Sequence, residues 1–110
     1  MREIRSQKIK SLINQRAAEF VIRHSGIKSL ITITDVNISD DLKNSTIFFT
    51  VLPTQYENEA LEFLKRQRSE FRDFVKKNWT AHTIPFFDFE IDKGERNRQR
   101  IDELLNKGKE

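Results

Sequence analysis

The sequence predicts an α+β fold in which helices cover one face of a three-stranded sheet. Three observations carry this reading. Apolar side chains recur at helical spacing through the first two dozen residues. Two β-branched segments follow across a short polar loop, and strict apolar–polar alternation marks a third strand near residues 87–92. The predicted order is helix, strand, strand, helix, helix, strand, helix. The 110 residues suit one domain, with no internal repeat, low-complexity tract or Pro/Gly-rich linker to divide them.

Each element has its own justification. In the first helix Ile9, Leu12, Ile13, Ala17, Phe20, Val21 and His24 form one stripe, and Gly26 is its expected stop. Residues 30–38, LITITDVNI, read as a strand whose alternation slips: Ile31 and Ile33 share one parity, Val36 and Ile38 the other. A one-residue phase change predicts a bulge or strong twist near Asp35. Ser39-Asp40-Asp41-Leu42-Lys43-Asn44 supplies turn chemistry, and 45–52 forms a second strand with Ile47, Phe49 and Val51 on one face. The short loop makes the two strands a hairpin. Pro53 ends the run, because it brings no N–H to a ladder.

From Glu57 to Thr80 the helical period runs through Ala60, Leu61, Leu64, Phe71, Phe74, Val75 and Asn78, but Gln67 and Arg68 interrupt it. Either one helix carries a polar gap, or two helices meet near Arg68-Ser69 with Ser69 as the second N-cap. In the third strand Phe87, Phe89 and Ile91 alternate with Asp88, Glu90 and Asp92, so one face is buried and the other wet. Gly94 is expected to break it. A last helix over about 95–106 has Ile101, Leu104 and Leu105 as apolar anchors.

A formal net charge of +3 argues weakly for an anionic partner until it is resolved along the chain. Residues 1–28 carry +5, 29–65 carry −4, 66–81 carry +3, 82–93 carry −2 and 94–110 carry +1. If the two basic blocks meet in the fold, they form a cationic face suited to phosphate. The bland alternative is two separately solvated helix faces.

Composition also excludes whole classes. With no cysteine there is no disulfide scaffold, thiolate zinc site or cysteine nucleophile. No apolar run approaches the roughly 20 residues that span a bilayer. No apolar signal core follows Met1-Arg2-Glu3-Ile4-Arg5, so the expected location is the cytoplasm. The sequence contains no H-E-x-x-H, no Gly-rich phosphate loop and no G-x-S-x-G. His24 sits on an apolar stripe and reads as structural, and His82 has no second histidine at ligand spacing. Asp40-Asp41 reads as a turn former, and Asp88, Glu90 and Asp92 as a wet sheet face rather than a metal or acid–base site. No catalytic residue, metal, cofactor, membrane or small-molecule substrate is expected.

Three stretches resemble the bacterial ribosome-binding factor A family. Residues 31–52 resemble its strand–S-x-D-L–strand segment, with Ser39, Asp41 and Leu42 at the fixed positions. Ile84-Pro85-Phe86-Phe87-Asp88-Phe89 resembles its P-x-L-x-F entry to the last strand, with Phe87 in the leucine position. Arg100-Ile101-Asp102-Glu103-Leu104-Leu105 resembles the helix closing its core. The resemblance implies a type II KH-like fold of order α-β-β-α-α-β, followed here by a short C-terminal helix, with residues 1–110 as a single RNA-binding domain. It further implies a non-enzymatic factor, expected as a monomer, that binds the immature small ribosomal subunit and its rRNA. Such a factor assists late maturation, including processing of the rRNA 5′ end, and is linked to growth in the cold. Two departures stand out. The interhelical Ala-x-Gly of the family corresponds here to Arg68-Ser69-Glu70, and His82 stands where an arginine is expected.

For RNA contact the candidates are Arg66, Arg68, Ser69, Arg72, Lys76 and Lys77, with Arg5 and Lys8 from the first helix. The positives of 66–77 span about three helical turns, enough to track several phosphates. Arg96, Arg98 and Arg100 are spaced by two and fan around their helix instead. Most of the nine phenylalanines have core parity; Phe48 and Phe86 do not. Trp79 reads as packing rather than as a base-stacking platform. The alternative function is a protein-interaction module that docks through the acidic strand face or the C-terminal helix.

Overall fold

The computed structural model describes residues 2–24, 30–77, 79 and 84–107, and within these spans the backbone alone of 2–6, 24, 103, 106 and 107. Its elements are α1 (Arg2–His24), β1 (Leu30–Ile38), β2 (Asn44–Leu52), a single 3-10 turn (Thr54–Tyr56), α2 (Glu57–Arg66), α3 (Arg68–Lys76), β3 (Phe86–Ile91) and α4 (Lys93–Lys107). The sheet order is β1-β2-β3, with β1 antiparallel and β3 parallel to β2. A parallel neighbour requires a long crossover, which α2 and α3 supply. The α-β-β-α-α-β order of a type II KH-like domain is therefore present, with α4 appended.

The predicted phase change in β1 is a bulge. Ile33 pairs with Phe49 and Asp35 with Phe48, so Thr34 is the extra residue. The slip lets both Ile31 and Val36 enter the core; a regular strand would send one of them to solvent.

The core lies between the sheet and α1–α3. Ile13, Ala17, Phe20 and Val21 meet Ile47, Phe49, Val51, Phe87 and Phe89, with Leu64, Phe71 and Val75 from the helix pair. Phe71 is the hub: its ring lies 4.9 Å from Phe87, 5.2 Å from Phe20 and 5.4 Å from Phe89, each edge to face. That arrangement sets the positive ring edge against a negative ring face.

Several expectations are corrected. Two helices do form, but they meet at Gln67, which is the N-cap of α3; Ser69 is an exposed residue of its first turn. α3 ends at Lys76 rather than Thr80. Gly94 does not break β3, because α4 already begins at Lys93. The stop is Asp92, whose carboxylate accepts the Glu95 N–H at 3.1 Å and caps α4.

Ile101, Leu104 and Leu105 do not anchor α4; they are 58%, 69% and 60% exposed. Polar contacts hold the helix instead. Gln99 Nε2 donates to the Val51 carbonyl at 2.9 Å, past the point where β3 stops pairing with β2, and Arg96 and Arg100 reach Glu57 at 3.5 and 3.9 Å. The expected helix stop Gly26, the helical Asn78 and Thr80, and His82 lie outside the described residues, as does the His24 side chain.

Candidate nucleic-acid interface

Arg68, Arg72 and Lys76 follow one another at i, i+4 and i+8 on α3, and the first two face the outer edge of β3. Four helical residues advance about 6.0 Å and two strand residues about 6.6 Å, so the two elements stay in step. Arg68 Nη1 accordingly meets Asp88 Oδ1 at 3.3 Å, and the Arg72 Cζ lies 5.0 Å from the Phe86 ring centroid. Arg72 also donates to the carbonyls of Pro85 and Ile84, both at 3.4 Å. Lys76, next in the column and exposed, has no ion-pair partner among the described residues.

Asp88 is the acid inside this basic column. It also accepts Lys65 Nζ at 3.0 Å and the Phe89 N–H at 2.9 Å. Burial pushes its carboxyl up, but the Lys65 hydrogen bond, the Phe89 N–H and the charges of Lys65 and Arg68 outweigh that and hold it below the usual range.

The helix break needs no glycine. Gln67 sits at φ −93°, ψ 7°, in the bridge region open to any L-residue. Its N–H is shared between the Phe63 and Leu64 carbonyls at 3.1 Å each, and its own carbonyl accepts the Phe71 N–H at 2.8 Å. Arg68-Ser69-Glu70 is thus the first turn of α3. The side chains of Arg66 and Ser69 are exposed on either side of the break.

The two basic blocks meet at one end only. Phe20 of α1 packs on Phe71 and Phe74 at 5.2 and 5.7 Å, and the Arg23 guanidinium lies 5.3 Å from the Phe74 ring centroid. Arg23 is a further candidate, which the set read from the sequence omits. Its signal is present in the sequence: it stands one turn after Phe20, on the side of the helix that an aromatic of α3 reaches. Lys8 is exposed but twelve residues, about 18 Å, back along the helix from Phe20. The Arg5 side chain lies outside the described residues. Arg16 pairs with Glu19 at 3.1 Å. Exposed Arg66 and Lys77, like Lys76, have no ion-pair partner among the described residues.

The expected row of strand carboxylates is dispersed. Asp88 turns to the helix pair, and Asp92 accepts the Thr34 hydroxyl at 2.6 Å, which with the Glu95 N–H holds its carboxyl below the usual range. Asp35, Glu90, Asp92 and Lys93 surround Phe48 in a shallow depression at the far end of the open sheet face. Trp79 is partly buried against the core. Among the described residues no group of three or more His, Cys, Asp and Glu is placed to hold a metal ion. No described helix is long and apolar enough to cross a membrane.

The sequence pattern of the family described as Ribosome-binding factor A matches residues 5–105. The chain belongs to the ribosome-binding factor A family. A family member from Thermodesulfovibrio yellowstonii is 33% identical over 103 residues, covering 92% of this chain and 87% of the relative. One from Thermosipho africanus is 31% identical over 110 residues, covering 94% and 87%. Among solved structures, a candidate ribosome binding factor A from Thermotoga maritima superposes with a TM-score of 0.65 at 25% identity, over 76% of this chain and 83% of that one. Ribosome-binding factor A from Thermus thermophilus gives a TM-score of 0.68 over 77% and 93%; at 16% identity it speaks for the fold alone.

The S-x-D-L segment of this family member is a hairpin tip. Ser39 Oγ donates to Asp41 Oδ1 at 2.6 Å and accepts the Asn44 N–H at 3.0 Å, while Asp41 Oδ1 accepts the Lys43 N–H at 3.0 Å. The Ser39 hydroxyl and then the Lys43 N–H hold the Asp41 carboxyl below the usual range. Leu42 closes the turn at φ 62°, a left-handed conformation that costs a non-glycine residue about 1 kcal/mol or more.

Proposed function

We propose that this protein is a ribosome assembly factor that binds the immature small ribosomal subunit and its rRNA. In this reading it works as a single KH-like RNA-binding domain, as a monomer in the cytoplasm, and assists late maturation, including 5′-end processing of the rRNA. It performs no chemistry of its own. Binding would favour one rRNA conformation over another, which requires different affinities for the two. The link to growth in the cold belongs to the same reading, since alternative RNA pairings persist longer when thermal energy is low.

The observation that carries it is the contact between the two basic helices. Through Phe20, Phe71 and Phe74 the fold sets Arg23 of α1 beside α3, where Lys76 and Lys77, with Arg66 at the end of α2, make no ion pair among the described residues. Phosphate contacts from such a surface supply affinity, while shape supplies selectivity.

The test is sedimentation of the tagged protein through a sucrose gradient. Comigration with free small subunits, lost as salt rises, supports the reading; comigration with translating ribosomes sinks it. The structure also selects the variants. Arg68 is engaged with Asp88 and Arg72 with the Ile84 and Pro85 carbonyls just before β3, so reversing their charge disturbs the fold as well as the surface. Arg66, Lys76 and Lys77 report on binding alone.

A second reading, a protein-interaction module, has one observation in its favour: the exposed Ile101, Leu104 and Leu105 of α4. It predicts association that survives high salt and nuclease treatment.

A further inference from the structure

Phe86 is 66% exposed, the most exposed phenylalanine among the described residues, and its surroundings are built rather than incidental. Its backbone is fixed from two sides: its N–H donates to the Lys43 carbonyl at 2.8 Å, and it stands opposite Asn44 in the parallel register. The Arg72 guanidinium lies over the ring at 5.0 Å, held there by the Pro85 and Ile84 carbonyls. Covering a sheet edge requires neither an aromatic at 86 nor its exposure; the two carbonyl bonds of Arg72 already serve that purpose. With one ring face under a cation and most of the residue in solvent, a flat π surface remains open.

The same sheet face offers a second aromatic, Phe48, but the electrostatics separate them. Phe48 lies among Asp35, Glu90 and Asp92, with Lys93 the one base among the described residues lining that depression. Phe86 lies at the opposite end, between Lys43 of the hairpin tip and the Arg72–Lys76 face of α3. A polyanion is repelled from the first and drawn to the second.

We infer that Phe86, backed by Arg72, is a stacking platform for one unpaired nucleobase. This rests on the RNA-binding reading above and adds to it the class of RNA that reaches this edge: single-stranded, with a base turned outward. Double-stranded RNA keeps its bases stacked inside the helix and cannot offer one, whereas loops, bulges and ends can. The phosphates flanking that base would fall toward Lys43 on one side and Lys76 on the other. Arg72 contributes twice, as a charge near the backbone and as the support that keeps the ring in place.

The experiment compares binding of a short single-stranded oligoadenylate and an RNA duplex of matched charge to the full chain and to Phe86→Ala, Phe86→Leu and Phe86→Trp, across a salt series. Base–aromatic stacking is lost on truncation, so Phe86→Ala and Phe86→Leu should weaken oligoadenylate binding roughly ten- to a hundred-fold. Phe86→Trp should retain it. Duplex affinity should stay within about two-fold, and the salt slope should not change, because Phe86 carries no charge to displace counterions. Phe86→Leu keeps the apolar bulk and serves as the folded control if the alanine variant melts early.

Oligoadenylate binding by Phe86→Leu equal to that of the unaltered chain overturns the inference and leaves the RNA-binding reading intact. Equal losses on both probes overturn it too, by showing that the ring acts through charge or fold. So does unchanged RNA affinity with lost subunit association, which would assign Phe86 to a protein contact. Failure of the unaltered chain to bind either RNA removes both readings.

Discussion

Lys65 Nζ lies 3.0 Å from Asp88 Oδ1, joining the last turn of α2 to the edge strand beside the helix break. Both partners are more than one-third exposed, so the pair is worth a surface bridge, even with Arg68 adding a second contact. Asp88→Asn should cost about 0.5–1 kcal/mol at neutral pH. The sign with pH follows from the lowered carboxyl. A depressed folded pKa contributes stability that is complete above the unfolded value, near 4, and disappears as pH falls through the folded one. Urea unfolding of the variant and the unaltered protein should therefore differ at pH 7 and converge well below pH 4.

Arg66, Lys76 and Lys77 are exposed cations beside and on α3 that make no ion pair among the described residues. Replacing all three by glutamine should leave the melting temperature within a few degrees and weaken RNA binding at every sequence alike. The slope of log affinity against log salt should fall by about two to three. Fluorescence anisotropy across a salt series measures both, and an unchanged slope would move the interface elsewhere.

Phe71 touches three other rings and is fully buried. Phe71→Ala removes the hub between α1, α3 and β3, at about 3–5 kcal/mol. Against a total of roughly 5–15 kcal/mol for a small domain, that should leave the protein marginal at 37 °C, which calorimetry will register as a large fall in melting temperature.

Glu57 is 8% exposed and receives both Arg96 and Arg100, while the apolar residues of α4 face solvent. The helix is therefore docked by polar contacts, the Gln99 hydrogen bond and these ion pairs. Glu57→Gln should raise amide exchange across 93–107 while exchange in β2 and α3 stays slow. High salt should move the unaltered protein in the same direction.

Leu42 closes the hairpin at φ 62°. Leu42→Gly and Leu42→Ala remove the same side-chain contacts, but only glycine escapes the left-handed penalty. The glycine variant should be the more stable of the two by about 0.5–1 kcal/mol in urea unfolding.

Much of the fold is legible in the sequence because it rests on local periodicity. The slip between Ile33 and Val36 announces the β1 bulge, and the alternation from Phe87 onward marks β3. The helix break lies one or two residues before the position that capping chemistry suggests, because Ser69 is a good capping residue and Gln67 is not. The bridge conformation at Gln67 is permitted to nearly any residue and so leaves no signature. Gly94 misleads for a similar reason: glycine permits a break, but the Asp92 cap decides where α4 starts. Ile101, Leu104 and Leu105 have the spacing of a buried stripe, and spacing cannot say whether a surface exists to bury it.

Charge order along the chain determined the two basic blocks, and local periodicity with turn chemistry determined the hairpin and the third strand. Family membership followed from the motifs in their order. Which cations stay unpaired was decided only in three dimensions, because a charge is neutralised by whatever lies within a few ångströms, however distant in sequence. Asp88 claims Lys65 and Arg68 from twenty or more residues away, the edge strand claims Arg72, and Arg66, Lys76 and Lys77 are left to solvent. The exposed, cation-backed ring of Phe86 is likewise a product of two elements advancing in step, α3 by four residues and β3 by two.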